Sequence, residues 1–208
     1  GEAVKQAGMD VVRYGRLLYE KGLTSGTGGN ISARVGDVMM ITPSGTCKGM
    51  LDPTELVTVD IATGRAVGGR PSMETPFHLT VYRERPDVRG VVHTHPRFCT
   101  ALACAGMTVD PALTPEGLMV LGRKVPLVPY ATPGTEALAE ALRREVGGAN
   151  AFLLASHGAI SVGKDLKDAF HRMETLEAHA ELQYRLALLG KGRPLSEEEA
   201  ERVLRERA

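Results

Sequence analysis

Apolar residues recur at roughly helical spacing over residues 3–19, through Val4, Ala7, Val11, Val12, Leu17 and Leu18. They predict a first helix that Gly22 ends. After the loop Ser25-Gly-Thr-Gly-Gly-Asn30, two short strands are expected over 31–34 and 38–41, with Gly36-Asp37 as the hairpin turn between them. Residues 42–46, Thr-Pro-Ser-Gly-Thr, form a second loop of small polar residues. A third strand is expected over 56–61, with Thr63-Gly64 as its turn. The pattern becomes helical over 74–84, stops before Pro86, and is extended over 88–95. Further on it predicts a helix over 97–105, a strand over 125–128, a helix over 136–146 and a buried strand over 152–156. The longest helix is expected over 166–189, and a last short one near Ser196, where Ser-Glu-Glu-Glu suits an N-cap and first turn. Between 106 and 122, Pro111 and Pro115 argue for a loop.

Helices and strands are mixed, and several neighbouring strands are joined by tight turns. That pattern predicts α/β layers with at least part of the sheet antiparallel. No repeat, low-complexity tract or linker divides the sequence, so one domain over 1–208 is expected.

Composition removes several function classes. Hydrophobic residues make up 43%, charged residues 24%, and the formal net charge is zero, so nothing favours nucleic acid or an acidic membrane as partner. Aromatics at 4% leave little to stack on bases. No apolar run reaches the ~18–20 residues that span a bilayer, and the opening Gly-Glu-Ala-Val-Lys-Gln is too polar for a signal peptide. Cys47, Cys99 and Cys104 are odd in number and irregularly spaced, with no Cys-x-x-Cys pair. They suit a reduced, cytoplasmic protein better than a disulfide framework or a sulfur-ligated zinc site.

The candidate chemistry starts at Val91-Val-His93-Thr-His95-Pro. Side chains two apart on a strand point the same way, so His93 and His95 would present two imidazoles to one ion. His157, at the end of another apolar strand and before Gly158, is the third candidate ligand. Glu74 is the fourth, opening a helix whose dipole favours an anion. Three His and a carboxylate suit zinc, with the carboxylate free to leave when substrate arrives. His78, His171 and His179 are rivals. His78 lies four residues after Glu74 and could share its helix face, while His171 and His179 sit among charges on the long helix, where histidines are usually solvated or interfacial. The glycine-rich loops at 26–30 and 43–46, with Ser72 near a helix start, offer backbone N–H and hydroxyl donors to an anion. The first loop lacks the P-loop lysine and does not match the dinucleotide fingerprint.

Taken together, Gly26-Thr-Gly-Gly-Asn-Ile-Ser-Ala-Arg34, Ile41-Thr-Pro-Ser-Gly45, Pro71-Ser-Met-Glu74, Val91-Val-His-Thr-His95, Val125-Pro-Leu-Val-Pro-Tyr-Ala-Thr132 and Ser156-His-Gly158 resemble the class II aldolase/adducin family. The resemblance implies a three-layer α/β/α domain with a mostly antiparallel central sheet, usually a homotetramer with active sites between subunits. It implies one Zn²⁺ per subunit on His93, His95 and His157. Glu74 would bind the ion at rest and serve as acid/base. Gly29, Asn30, Ser44, Gly45 and Ser72 would hold the substrate phosphate. The implied activity is reversible cleavage of a ketose 1-phosphate, such as L-fuculose 1-phosphate, to dihydroxyacetone phosphate and an aldehyde through an enediolate.

The chain departs from the family's fuculose-phosphate branch at three places. Met73 replaces a serine. Residues 107–122 lack the tyrosine that donates a proton to the neighbouring site, leaving Glu116 or Thr114 for that role, or a different aldehyde half of the substrate. The C-terminal aromatic residues that close that site are also missing. A methylthioribulose-1-phosphate dehydratase, with Glu116 as acid/base, is an alternative on the same scaffold. A pentulose-phosphate 4-epimerase is disfavoured by the lack of a His-Ala-Asp-Tyr stretch. Retention of three His and Glu74 argues against a non-catalytic adducin-like module.

Overall fold

The computed structural model describes residues 1–207; Ala208, the last residue of the expected domain, lies outside the described residues. Eight strands, β1 (Asn30–Val35), β2 (Val38–Ile41), β3 (Val57–Asp60), β4 (Ala66–Val67), β5 (Gly90–Thr94), β6 (Leu127–Val128), β7 (Ala151–Leu154) and β8 (Gly158–Gly163), form one sheet. Their order across it is β4-β3-β2-β1-β5-β8-β7-β6. The sheet is mixed: all neighbouring pairs are antiparallel except β6–β7, which is parallel.

The two faces carry different helices. Along β5, Val92 joins a core with Val11 and Leu18 of α1 (Glu2–Glu20), Cys99 and Leu102 of α3 (Arg97–Cys104), and Phe170 and Met173 of α6 (Leu166–Leu189). Val91, pointing the other way, joins Phe77 and Tyr82 of α2 (Thr75–Glu84) and Leu138 and Leu142 of α5 (Glu136–Arg143). Covering both faces makes the expected three-layer α/β/α architecture. Phe77, Phe152 and Phe170 are all but sealed from water, and burying each stabilises the fold by about 1.5–3 kcal/mol. Outside the layers, α4 (Pro115–Leu121) packs on α6, and α7 (Glu197–Arg207) on α4.

Most expected elements are present with ends moved by a residue or two. Three differ in kind. The stretch 106–122 is not a plain loop: a 3₁₀ turn covers Pro111–Leu113 and α4 follows directly. Pro115 opens α4, where the missing N–H costs nothing, and Thr114 Oγ1 caps it by accepting from Gly117 N–H at 2.8 Å. β8 has no counterpart among the expected strands, because Gly-Ala-Ile-Ser-Val-Gly is buried on both faces and shows no alternation. The helix expected over 136–146 ends at Arg143 and gives way to a 3₁₀ turn, Val146–Gly148.

Candidate metal centre

β5 stops at Thr94, so His93 lies within the sheet and His95 just beyond its edge. Their Nε2 atoms are 3.1 Å apart. His157 comes from the tight turn between β7 and β8, where His157 N–H donates to Leu154 O at 3.0 Å. Ser156, φ +56°, is the one non-glycine residue with positive φ among the described residues, and this uncommon conformation turns the chain just before the ligand. Gly158 lets the turn lie on β5: a Cβ there would stand 2.5 Å from Thr94 O and 2.7 Å from His95 Cδ2. The result is three imidazoles with one nitrogen each inside a group whose members all lie within 4.8 Å of one another.

Orientation and charge state both suit a cation. His93 Nδ1 donates to Ala159 O at 2.9 Å, which leaves Nε2 as a free lone pair. Burial is the leading cause that lowers all three pKa values, well below the ordinary imidazole value for His93 and to about 4 for His157. The imidazoles are therefore neutral at physiological pH. His157 Nδ1 is buried with no protein partner among the described residues.

Glu74 is the N-cap residue of α2 and 5% exposed. Its Oε2 is also buried without a partner. Burial pushes its pKa up to about 7, opposed by a hydrogen bond from the Gly134 backbone. The carboxylate does not belong to the close group of three imidazoles, but it lines the same cavity of about 440 Å³. Unpartnered buried donor atoms beside converging neutral imidazoles are what a resident divalent ion would satisfy.

The other predicted residues gather along this cavity: Gly29, Asn30, Ser44, Gly45 and Ser72 all line it. Strand register sets Asn30 directly opposite His93. Gly29, φ +78°, is required at its position, since a Cβ would meet His93 O at 2.7 Å. The second loop is laced to the start of α2, with Ser72 N–H donating to Thr42 O and Ser44 N–H to Arg70 O. Ser72 Oγ accepts from Glu74 N–H at 3.2 Å. Met73, 63% exposed, also lines the cavity.

Glu116 is not brought there: it is exposed on the first turn of α4 and does not line the cavity of its own protomer. Thr114 is occupied as the α4 cap and bonds His179 Nε2 at 2.7 Å. The rival histidines lie elsewhere. His171 is on the surface beside Glu174, His179 packs under α4, and His78 is fully buried in a hydrogen-bonded chain behind Asn30.

Sequence reasoning missed Lys48. The residue is 1% exposed, and its ammonium donates to Thr27 O and Thr46 O, tying the two glycine loops together. Burial lowers its pKa to about 8. A lone lysine in a stretch of small residues carries no period that would have marked it.

Residues 9–184 match the family described as Class II Aldolase and Adducin N-terminal domain. A 3-oxo-tetronate 4-phosphate decarboxylase of Pectobacterium atrosepticum is 38% identical over 86% of this chain and 84% of its own length. A 5-methylthioribulose-1-phosphate/5-deoxyribulose-1-phosphate aldolase of Rhodospirillum rubrum is 40% identical over 91% and 85%. A solved L-fuculose 1-phosphate aldolase superposes with a TM-score of 0.90 at 33% identity, over 97% of this chain and 95% of that one.

Proposed function

The chain belongs to the class II aldolase and adducin family, and on that premise we propose that it is a metal-dependent lyase breaking the carbon–carbon bond between the α and β carbons of a phosphorylated sugar's ketone. The observation that carries this reading is the pairing of three neutral, converging imidazoles with a buried carboxyl that has one oxygen unpartnered among the described residues and a pKa pushed up to about 7. When bound by His93, His95 and His157, with Glu74 as resting ligand, a divalent cation supplies Lewis acidity at the substrate carbonyl. We propose zinc, one per subunit, from the nitrogen-rich donor set.

The chain's own groups do the rest. Backbone donors at Gly29 and Gly45, with Asn30, Ser44 and Ser72, hold the phosphate, and that remote binding energy orients the reacting carbons. Glu74 takes a proton from the hydroxyl-bearing carbon, or returns it when the carbon–carbon bond has broken. Burial serves this step, because a carboxyl near pH 7 exchanges its proton readily in either direction.

Aldol cleavage of a ketose 1-phosphate is the first form of the reaction. There the leaving aldehyde forms only as its hydroxyl loses a proton, which requires a second group. We propose Glu116 of a neighbouring subunit in a homotetramer. A second form does without Glu116. Loss of CO₂ from a 3-oxo sugar-acid phosphate passes through the same enediolate and needs no second acid or base. The decarboxylase relative, at 38% identity, supports that form. The three unpaired cysteines suit a cytoplasmic location.

The test is turnover by the zinc-loaded protein on a panel of ketose 1-phosphates and 3-oxo-tetronate 4-phosphate, with products identified by NMR. Dihydroxyacetone phosphate with an aldehyde marks aldol cleavage, and with CO₂ decarboxylation. Dehydrated or epimerised products alone would sink the proposal.

A further inference from the structure

Behind the cavity runs a buried polar chain of which the proposed function uses only the end, Asn30. Tyr82 Oη lies 2.8 Å from Ser32 Oγ, Ser32 Oγ lies 2.7 Å from His78 Nδ1, and His78 Nε2 lies 2.5 Å from Asn30 Oδ1. Tyr82, Ser32 and His78 are at most 1% exposed, and only Asn30 reaches the cavity. His78 is neutral, held so by burial, and has one N–H to give.

Two polarities of the chain are conceivable. In the first, Tyr82 donates to Ser32, Ser32 to His78 Nδ1, and His78 Nε2–H to Asn30 Oδ1. Every hydrogen is used. In the second, the Asn30 amide is flipped and donates to His78 Nε2, His78 Nδ1–H donates to Ser32, and Ser32 to Tyr82. The Tyr82 O–H is then left with no acceptor among the described residues. A buried donor without a partner costs about 1–3 kcal/mol. The first polarity wins by that margin. It leaves the Asn30 Nδ2 hydrogens as the free end of the chain. Nδ2 has no protein partner among the described residues, yet is not sealed from solvent, so it opens on the cavity that Asn30 lines.

We propose that His78 is a positioning residue: by holding Asn30 Oδ1 it turns the Asn30 NH₂ toward the cavity, so that the site selects a ligand whose oxygens accept there, such as a phosphate. This deepens the proposed function and rests on its phosphate site. Its test does not depend on turnover.

Two measurements decide it. The first is the affinity of the zinc-loaded protein for inorganic phosphate, by calorimetry, with metal content and melting temperature as controls. His78→Phe, which removes the donor, is expected to weaken phosphate binding about 10-fold or more, the range of one hydrogen bond to a charged group. His78→Gln keeps an N–H at the Nε2 position and is expected to return to within about threefold of the parent. Unchanged phosphate affinity in a folded, metal-loaded His78→Phe would overturn the proposal, as would no phosphate binding by the parent at tens of millimolar. The second measurement needs no variant. The ¹⁵N shifts of the His78 ring in the parent protein are expected to show hydrogen on Nε2. Hydrogen on Nδ1 would mean the opposite polarity and overturn the proposal. Failure of every sugar phosphate to turn over, with phosphate affinity and ring shifts as expected, would count against the proposed function and leave the positioning role of His78 standing.

Discussion

Glu74 and the three imidazoles have separable jobs, so single substitutions should split them. Glu74→Gln removes the proton carrier and leaves the imidazoles in place. It is expected to keep bound zinc by elemental analysis while losing roughly 10²–10⁴-fold in turnover. His157→Ala is expected to lose the metal itself. Gly158 is a more severe position than its size suggests, because any Cβ meets the Thr94 carbonyl at 2.5 Å. We expect Gly158→Ala to destabilise the protein by about 1–3 kcal/mol, a drop of about 2–4 °C in Tm per kcal/mol for a chain of this size. Thermal melts of the metal-free proteins check this apart from metal affinity.

At the scale of elements, α4 is the informative case. Thr114 Oγ1 accepts from Gly117 N–H and bonds His179, which is itself held by Thr175 O. Thr114→Ala is expected to lower stability by about 0.5–2 kcal/mol, and to reduce aldol turnover if Glu116, two residues on, serves a neighbouring site. Unchanged turnover with a lowered Tm would remove α4 from the chemistry. This element also shows where sequence reading stops. Two prolines in 106–122 argue for a loop, yet one of them opens a helix whose cap is supplied by the residue before it. β8 escaped because its burial on both faces erased the period that reveals a strand. The ligand-bearing strand β5 and the loops at 26–30 and 43–46 were legible, since their chemistry sits in contiguous residues. Lys48 and the Ser32–His78–Tyr82 chain were not, because their partners come from segments far away in sequence. His78 was visible as a candidate ligand, and only its burial against Asn30 turned it away from the ion.

For the molecule as a whole, buried histidines make acid the weak side. His78 falls to about 3, His157 to about 4, and His93 well below its ordinary value. Each lowered pKa contributes stability that is present above about 6.5 and lost as pH falls through the folded value. Glu74, raised to about 7, acts in the opposite sense: its contribution is full below about 4.5 and lost as pH rises through 7. With His95, also lowered by burial, four imidazoles against one carboxyl predict that the metal-free protein loses on the order of 10 °C in Tm between pH 7 and pH 4.5. Calorimetry that finds no fall over this range would contradict the burial argument.

The same centre has a mechanical side. His93 lies in β5 and His95 just beyond it, while His157 comes from a turn 62 residues after His95. An ion gripping all three is a cross-link that closes the long loop carrying α3, α4, β6, α5 and β7. In the unfolded chain such a closure is entropically costly, so the ion favours the folded chain over the unfolded one. Melting temperature should then climb with free zinc concentration, by about 1.4 kcal/mol of stability per tenfold once the site is saturated. The cation that serves the chemistry would also work as a clasp on the fold.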